Sequence, residues 1–399
     1  MALTLSKKAQ AVKPSSTLSI TAKAKELREK GIDVVGFGAG EPDFNTPDNI
    51  CEAAIRAIQN GFTKYTPASG TLELKKAVCD KFEKFNGISY QPDQIVISNG
   101  GKHSLTNIFQ AILNPGDEVI IPAPYWLSYP EIVKLADGVP VFIRAEKEQN
   151  YKVTAEQIDA ACTGKTKAFI LNSPNNPSGM IYTREELEAI AKVAVKRDIY
   201  VVSDEIYENL VYDKEKQVSI ASLNDEIYRR TITCSGLAKS YSMTGWRIGY
   251  TGSSKEIAKV MGSVQSHQTS NPNSIAQKAA YEALTGSQDS VCAMNQEFNN
   301  RRDYMYERVS EIKYISALKP QGAFYLFVDI SEILDKEYKG AKVGDVTNLA
   351  KLLIEEYNVA VIPCVDFGFC DHIRLSYAIS MDQIKKGLDR IEDFTNKLV

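Results

Sequence analysis

Apolar and polar positions divide most of the chain into short β-branched runs separated by longer stretches of helical period. Ile95–Ser98, Glu118–Pro122, Lys167–Asn172, Tyr200–Asp204, Thr231–Ser235 and Arg247–Thr251 read as strands. Helices announce themselves between them. Thr154-x-x-Gln157 and Thr183-x-x-Glu186 are capping-box patterns, in which hydroxyl and amide or carboxylate side chains each bond the other residue's backbone N–H. Such alternation predicts crossover units on a mainly parallel sheet, with ligands bound beyond the carboxyl ends of its strands. Upstream, Thr21–Lys30 reads as a helix stopped by Gly31, followed by the turn-rich loop Gly36–Pro42.

The pattern changes near residue 295. Helical stretches at Gln296–Ser310 and Ala350–Glu356 frame short strands at Ala323–Asp329 and Ile373–Tyr377, and Ser380-x-x-Gln383 caps a last amphipathic helix. This predicts a smaller α+β domain on which the N-terminal segment packs. The expected division is 1–46 as an N-terminal arm and part of the small domain, 47–295 as the large domain, and 296–399 as the small one.

Composition removes several function classes. The 399 residues carry 47 Lys plus Arg against 50 Asp plus Glu, a formal charge of −3, which argues against nucleic acid or an anionic membrane surface as partner. No apolar run approaches the roughly 20 residues that span a bilayer. The first 20 residues are polar, so a cytoplasmic protein is the expectation. The 7 Cys form no Cys-x-x-Cys, and the 3 His lie far apart in sequence. Neither a metal site nor a Ser-His-Asp triad is expected.

Chemistry-bearing residues gather after the strands. Gly100-Gly101-Lys102 follows the first, Asn172-x-x-Asn175-Asn176-Pro177-x-Gly179 the third, Asp204-Glu205-x-Tyr207 the fourth, and Ser235-Gly236-Leu237-Ala238-Lys239 the fifth. Arg247 comes eight residues after Lys239. These supply anion donors, an acid, a phenol and an amine. Taken alone, Lys239 would read as a surface lysine, Gly100-Gly101 and Asn176-Pro177 as turns, Asp204-x-x-Tyr207 as a strand-end cap, and Trp126 and Tyr65 as packing. Arg374 differs, because an arginine inside an apolar strand needs a partner.

The stretch Ser235-Gly-Leu-Ala-Lys239-Ser-Tyr-Ser-Met-Thr-Gly-Trp-Arg247-Ile-Gly249 resembles the cofactor-attachment motif of class I pyridoxal-phosphate-dependent aminotransferases. Asn172-Ser-Pro-Asn-Asn-Pro-Ser-Gly179, Val202-Ser-Asp204-Glu-Ile-Tyr207, Ile373-Arg374-Leu-Ser-Tyr377 and Gly38-Ala-Gly-Glu-Pro-Asp-Phe44 match the same family, in the same order, nearly end to end. Within it the chain resembles the bacterial aspartate aminotransferase branch. The resemblance implies the fold-type I α/β architecture: a large domain with a mainly parallel seven-stranded sheet plus a smaller α+β domain.

It also implies roles. Lys239 would carry pyridoxal 5′-phosphate covalently and, once released, move the substrate α-proton. Asp204 would keep the pyridine nitrogen protonated, while Tyr207 and Asn176 would bond the ring 3-oxygen. Backbone N–H groups of Gly101 and Lys102, with Ser235, Arg247 and a Tyr65 reaching over from the neighbouring subunit of a homodimer, would hold the phosphate. Trp126 would stack on the ring, and Arg374, helped by Gly40 and Asn176, would take the substrate α-carboxylate. Lys102, Ser15 and Thr17 would receive the distal carboxylate. Two departures stand out. Many relatives carry Ser where this chain has Gly236, and many read Pro-Gly where it has Pro363-Cys364.

The expected reaction is amino transfer from aspartate to 2-oxoglutarate. Prephenate or aromatic transamination in the same branch, and β-elimination on the same cofactor, are the alternatives. A transcription regulator would need a helix-turn-helix domain ahead of this fold, and a dehydrogenase would need Gly-x-Gly-x-x-Gly at a strand-to-helix turn, which Gly36-x-Gly38-x-Gly40 does not supply.

Overall fold

The computed structural model describes residues 4–14, 16–213 and 215–399. Its main sheet has seven strands: β1 (Ile95–Ser98), β2 (Glu118–Ala123), β3 (Val139–Arg144), β4 (Thr166–Asn172), β5 (Tyr200–Asp204), β6 (Thr231–Gly236) and β7 (Gly249–Gly252). Their order is β1-β7-β6-β5-β4-β2-β3, and β7 alone runs antiparallel to its neighbours. β1, β6 and β7 are buried along their whole length, as strands of a sheet covered on both faces must be. Helix α1 (Ser16–Glu29) packs beside Val34 and Ala360, and the helices that cover the main sheet include α2 (Leu72–Lys81), α3 (Gly101–Ile112), α4 (Arg184–Arg197) and α5 (Lys255–Gln268). Two separate apolar clusters, one built around Val96, Val119, Ile170 and Val202 and one around Ile120, Phe169, Leu171 and Val201, form the cores on the two faces. Alternate residues of β2, β4 and β5 therefore point to opposite sides.

Six of these strands stand where the apolar runs predict them. The seventh, β3, is an edge strand with Pro140 inside it and a half-exposed burial pattern, so it lacks the continuous apolar run that marks its neighbours. Both capping boxes form. Thr154 accepts from the Gln157 N–H and Thr183 from the Glu186 N–H, with the reciprocal bonds present. The first long helix begins at Ser16 rather than near Thr21.

A second sheet has the order β10-β11-β9-β8, from β8 (Ser316–Ala317), β9 (Tyr325–Asp329), β10 (Ile362–Pro363) and β11 (His372–Ser376), all antiparallel pairs. It shares a core with α6 (Asp289–Glu311), α7 (Val346–Glu356) and α8 (Met381–Thr395), where Phe298, Met305, Leu349, Leu353, Ile384 and Leu388 are buried. Val35–Gly36 pairs in parallel with Val359–Ala360, tying the N-terminal segment to this second core. Loop 37–44 thus passes between the two sheets, facing the carboxyl ends of β4, β5 and β6.

Candidate active site

Parallel pairing puts Asn172, Asp204 and Cys234 side by side at three strand ends. Asp204 is only 4% exposed. The Tyr129 hydroxyl donates to its Oδ2 at 2.7 Å and the Ile206 N–H to its Oδ1 at 3.2 Å. Burial outweighs these donors and pushes the carboxyl up to about 6. Lys239 lies three residues beyond β6. Its ammonium donates to the Gly40 carbonyl and sits 5.8 Å from the Phe324 ring centre. Burial, with the like charge of Arg374 adding to it, brings Lys239 down to about 8, and Asp204 is among the acids that pull the other way.

Arg374 occupies the middle of β11, in register with Phe327 and Ile362. It is 2% exposed. Nη1 donates to Asn176 Oδ1 at 3.1 Å, Nη2 to the Gly38 carbonyl at 3.4 Å, and the guanidinium lies 4.2 Å from the Tyr325 ring centre. Its buried Nε has no partner, and among the described residues no carboxylate is paired with it. A buried cation without a counter-ion is costly, so this geometry is built for an anion. Asn176 is fixed in turn by its N–H to Asn172 Oδ1 at 2.9 Å, and Asn172 Nδ2 donates to the Asp204 carbonyl at 3.0 Å. Tyr207, whose hydroxyl burial holds well above the usual range, meets the Tyr325 hydroxyl at 3.0 Å.

The other end of the site is an N-terminal helix turn. α3 opens at Gly101, where the first backbone N–H groups have no partner within the helix. β7 approaches this turn so closely that a Cβ on Gly249 would lie 2.5 Å from backbone atoms of Gly100 and Gly101. Arg247, held at φ 59°, donates to the Thr244 carbonyl at 2.9 Å and to the Asn99 carbonyl at 3.4 Å. The Lys102 ammonium stands 5.0 Å from the Trp126 ring centre, and burial and Arg247 both lower it. Trp126 meets Tyr129 edge to face at 5.4 Å. Trp126, Tyr129 and Asp204 are therefore contiguous.

Lys239, Gly40, Asp204, Asn176, Tyr207 and Arg374 thus fall on one connected set of contacts, with Gly101, Lys102, Trp126 and Arg247 beside it. Three further expected residues, Ser235, Tyr65 and Thr17, make no side-chain hydrogen bond with this set among the described residues. Ser235 is fully buried, and its hydroxyl donates to Glu208 at 2.5 Å rather than toward the cleft. Tyr65 is 90% exposed on this chain. Thr17, the second residue of α1, has a buried hydroxyl with no partner among the described residues. Ser15 lies outside the described residues. At Gly236 a Cβ would come within 3.1 Å of Ile206 and Gly249 and 3.0 Å of the Ile248 carbonyl, so the departure from Ser matches a tight packing of β6 on β7. Cys364 is buried with its thiol against the Ile362 carbonyl at 3.6 Å.

Sequence reasoning missed Tyr129 and Tyr325. Both act through contacts between residues more than 45 positions apart. The one local signal is that Tyr129 follows Trp126 by one helical turn.

A two-body α/β fold with a buried amine, a buried carboxyl and an unpaired buried arginine at its strand ends defines a class: enzymes that process small anionic amines. Residues 32–391 match the family Aminotransferase class I and II, and the chain belongs to that family, whose members work with pyridoxal phosphate. It is 52% identical over 390 residues to an aspartate aminotransferase of Bacillus sp. (strain YM-2), covering 98% of each chain. It is 48% identical over 385 residues to an aspartate/prephenate aminotransferase of Cereibacter sphaeroides, covering 96% of each. Its structure resembles a Thermus thermophilus aspartate aminotransferase with maleate at TM-score 0.93 and 43% identity, covering 98% of this chain and all of that one.

Proposed function

We propose that the chain is an aspartate aminotransferase, transferring the amino group of L-aspartate to 2-oxoglutarate to give oxaloacetate and L-glutamate. The observation that carries this reading is Arg374: a buried, two-pronged cation with no acid partner among the described residues, beside a depressed amine at Lys239. Its planar fork suits an α-carboxylate, and a lysine there would not reproduce it. Names of relatives along nearly the whole chain support the same reaction.

Pyridoxal phosphate, when bound, supplies an aldehyde that exchanges amino groups and a ring that withdraws electrons. The donor set fits it. Lys239 would hold the aldehyde carbon, Asp204 the ring nitrogen, and Tyr207 and Asn176 the 3-oxygen. The Gly101 and Lys102 N–H groups and Arg247 would hold the phosphate, and Trp126 the ring face. Ser235 is left out of this set because Glu208 already takes its hydroxyl. The chain's own work then follows. Arg374 and Asn176 orient the amino acid, with Gly40 placed to help. Lys239, near half neutral at about pH 8, would take the substrate α-proton onto Nζ and later give it up again as the ammonium. Asp204, screened from water by Tyr129, keeps a negative charge opposite the ring nitrogen. Lys102 and Thr17 are the groups proposed for the distal carboxylate. In this reading 47–295 forms the cofactor-holding domain and 296–399 the smaller one, with 1–46 packed on it.

The Cereibacter relative favours a second reading, use of prephenate beside aspartate. A panel of aspartate, glutamate, prephenate and phenylalanine, each with a suitable amino partner, separates the two. Lys102→Ala is expected to lower kcat/KM for aspartate by about 10-fold or more and for phenylalanine by less than about twofold. Equal losses would remove Lys102 from the specificity set.

A further inference from the structure

Beneath the site lies a buried polar group that the reaction above does not use. Lys81 ends α2 and Glu208 closes the turn after β5; they form an ion pair whose side chains are 5% and 6% exposed. Asn86 bridges to both acids, donating to Glu208 Oε2 at 2.7 Å and to Glu205 Oε2 at 3.0 Å, and it accepts from Lys81 at 2.9 Å. Glu205 is held further by Ser203 at 2.8 Å and Ser219 at 2.6 Å. Burial and the charge of Glu208 push the Glu205 carboxyl up. Ser235 Oγ then donates to Glu208 Oε1 at 2.5 Å.

The position of this group matters because of what flanks it. The Glu205–Glu208 turn carries Asp204 at one side and Tyr207 within it. Ser235 is the next-to-last residue of β6, four residues before Lys239. Past the register pair Asp204–Cys234, the Glu205 N–H to the Cys234 carbonyl, at 2.8 Å, is the last backbone bond between these two arms. Beyond it, Ser235 Oγ joins them, 2.5 Å from Glu208 Oε1 and 3.4 Å from the Glu205 carbonyl.

We propose that Glu208 is a positioning residue: neutralised by Lys81, it ties the turn that carries Asp204 and Tyr207 to the strand that delivers Lys239, so that amine and carboxyl grip one cofactor from fixed positions. The proposal rests on the cofactor reading above. It separates from a purely structural role because a buried ion pair replaced by apolar side chains of similar size tends to leave stability unchanged or raised, whereas breaking one partner lowers it.

Two variants exploit that difference, read by the dissociation constant for pyridoxal phosphate and by thermal unfolding of the cofactor-free protein. Lys81→Met with Glu208→Met removes both charges and the carboxylate that accepts from Ser235, leaving Ser235 only the longer bond to the Glu205 carbonyl at 3.4 Å. It should melt no lower than the parent, yet bind the cofactor about tenfold more weakly, the loss of one charge-assisted hydrogen bond's worth of order. Glu208→Gln keeps an acceptor for Ser235 but strands Lys81. It should melt lower, yet bind the cofactor within about twofold of the parent. A double variant with parental affinity would overturn the proposal. So would a tenfold loss in Glu208→Gln, which carries the test if the double variant does not fold. A parent protein that takes up no pyridoxal phosphate would instead sink the cofactor reading itself.

Discussion

Asp204 shows how burial and function pull against each other within one residue. Its carboxyl is raised from 3.8 to about 6 in the cofactor-free protein, so folding favours the protonated acid. That contribution is complete below about pH 4 and is lost as pH rises through 6; above it the charged form costs roughly 3 kcal/mol. Asp204→Asn should therefore stabilise the cofactor-free protein by about 3 kcal/mol at pH 8 and leave it unchanged at pH 4. Urea unfolding at the two pH values measures this, and equal effects at both would show that the carboxyl is not strained by burial. In the proposed function the sign would reverse with the cofactor bound, because the ring nitrogen would give the buried charge its partner. At this scale the motifs around Lys239, Asp204, Asn176 and Arg374 were readable, since each is a local string of residues. Tyr129 and Tyr325 were not, because their meaning depends on the distant residues they touch.

Among the elements, the strands buried on both faces were legible as apolar runs, and the helices between them as capping patterns. β3 was not: an edge strand alternates in exposure and tolerates Pro140, so its local pattern does not distinguish it from a loop. The start of α1 was missed because Ser16–Ser19 carries no strong apolar face. One element contact has a direct consequence for the site. β7 packs on the opening turn of α3 through Gly249, with no room for a side chain. Gly249→Ala should destabilise the protein by about 1–3 kcal/mol and weaken pyridoxal phosphate by displacing the Gly101 N–H groups. Unfolding curves and cofactor titration check both, and a variant with parental values in each would mean that the turn is not held from beneath.

The molecule as a whole places its site between two cores, one shared by the seven-stranded sheet and its helices, the other by the smaller sheet and α6 to α8. Loop 37–44 bridges them, which explains why Gly38 and Gly40 carbonyls meet Arg374 and Lys239. Tyr65 points away from this chain at 90% exposure, a wasteful position for a large phenol unless a second copy covers it. The expected solution mass is about twice 44.2 kDa. Tyr65→Ala should keep that mass while weakening pyridoxal phosphate about tenfold, as loss of a hydrogen bond to a charged phosphate does. A monomeric parent, or a variant with parental cofactor affinity, would remove the partner subunit from the site.

The most direct measurement is covalent capture at position 239. Cofactor-free protein is mixed with pyridoxal phosphate across a pH series, reduced with borohydride, digested and weighed peptide by peptide. The label should fall on the peptide containing Lys239, with a labelling rate that is half-maximal near pH 8, and Lys239→Ala should take up none there. Label spread over exposed lysines, or none on the peptide containing Lys239, would contradict the assignment.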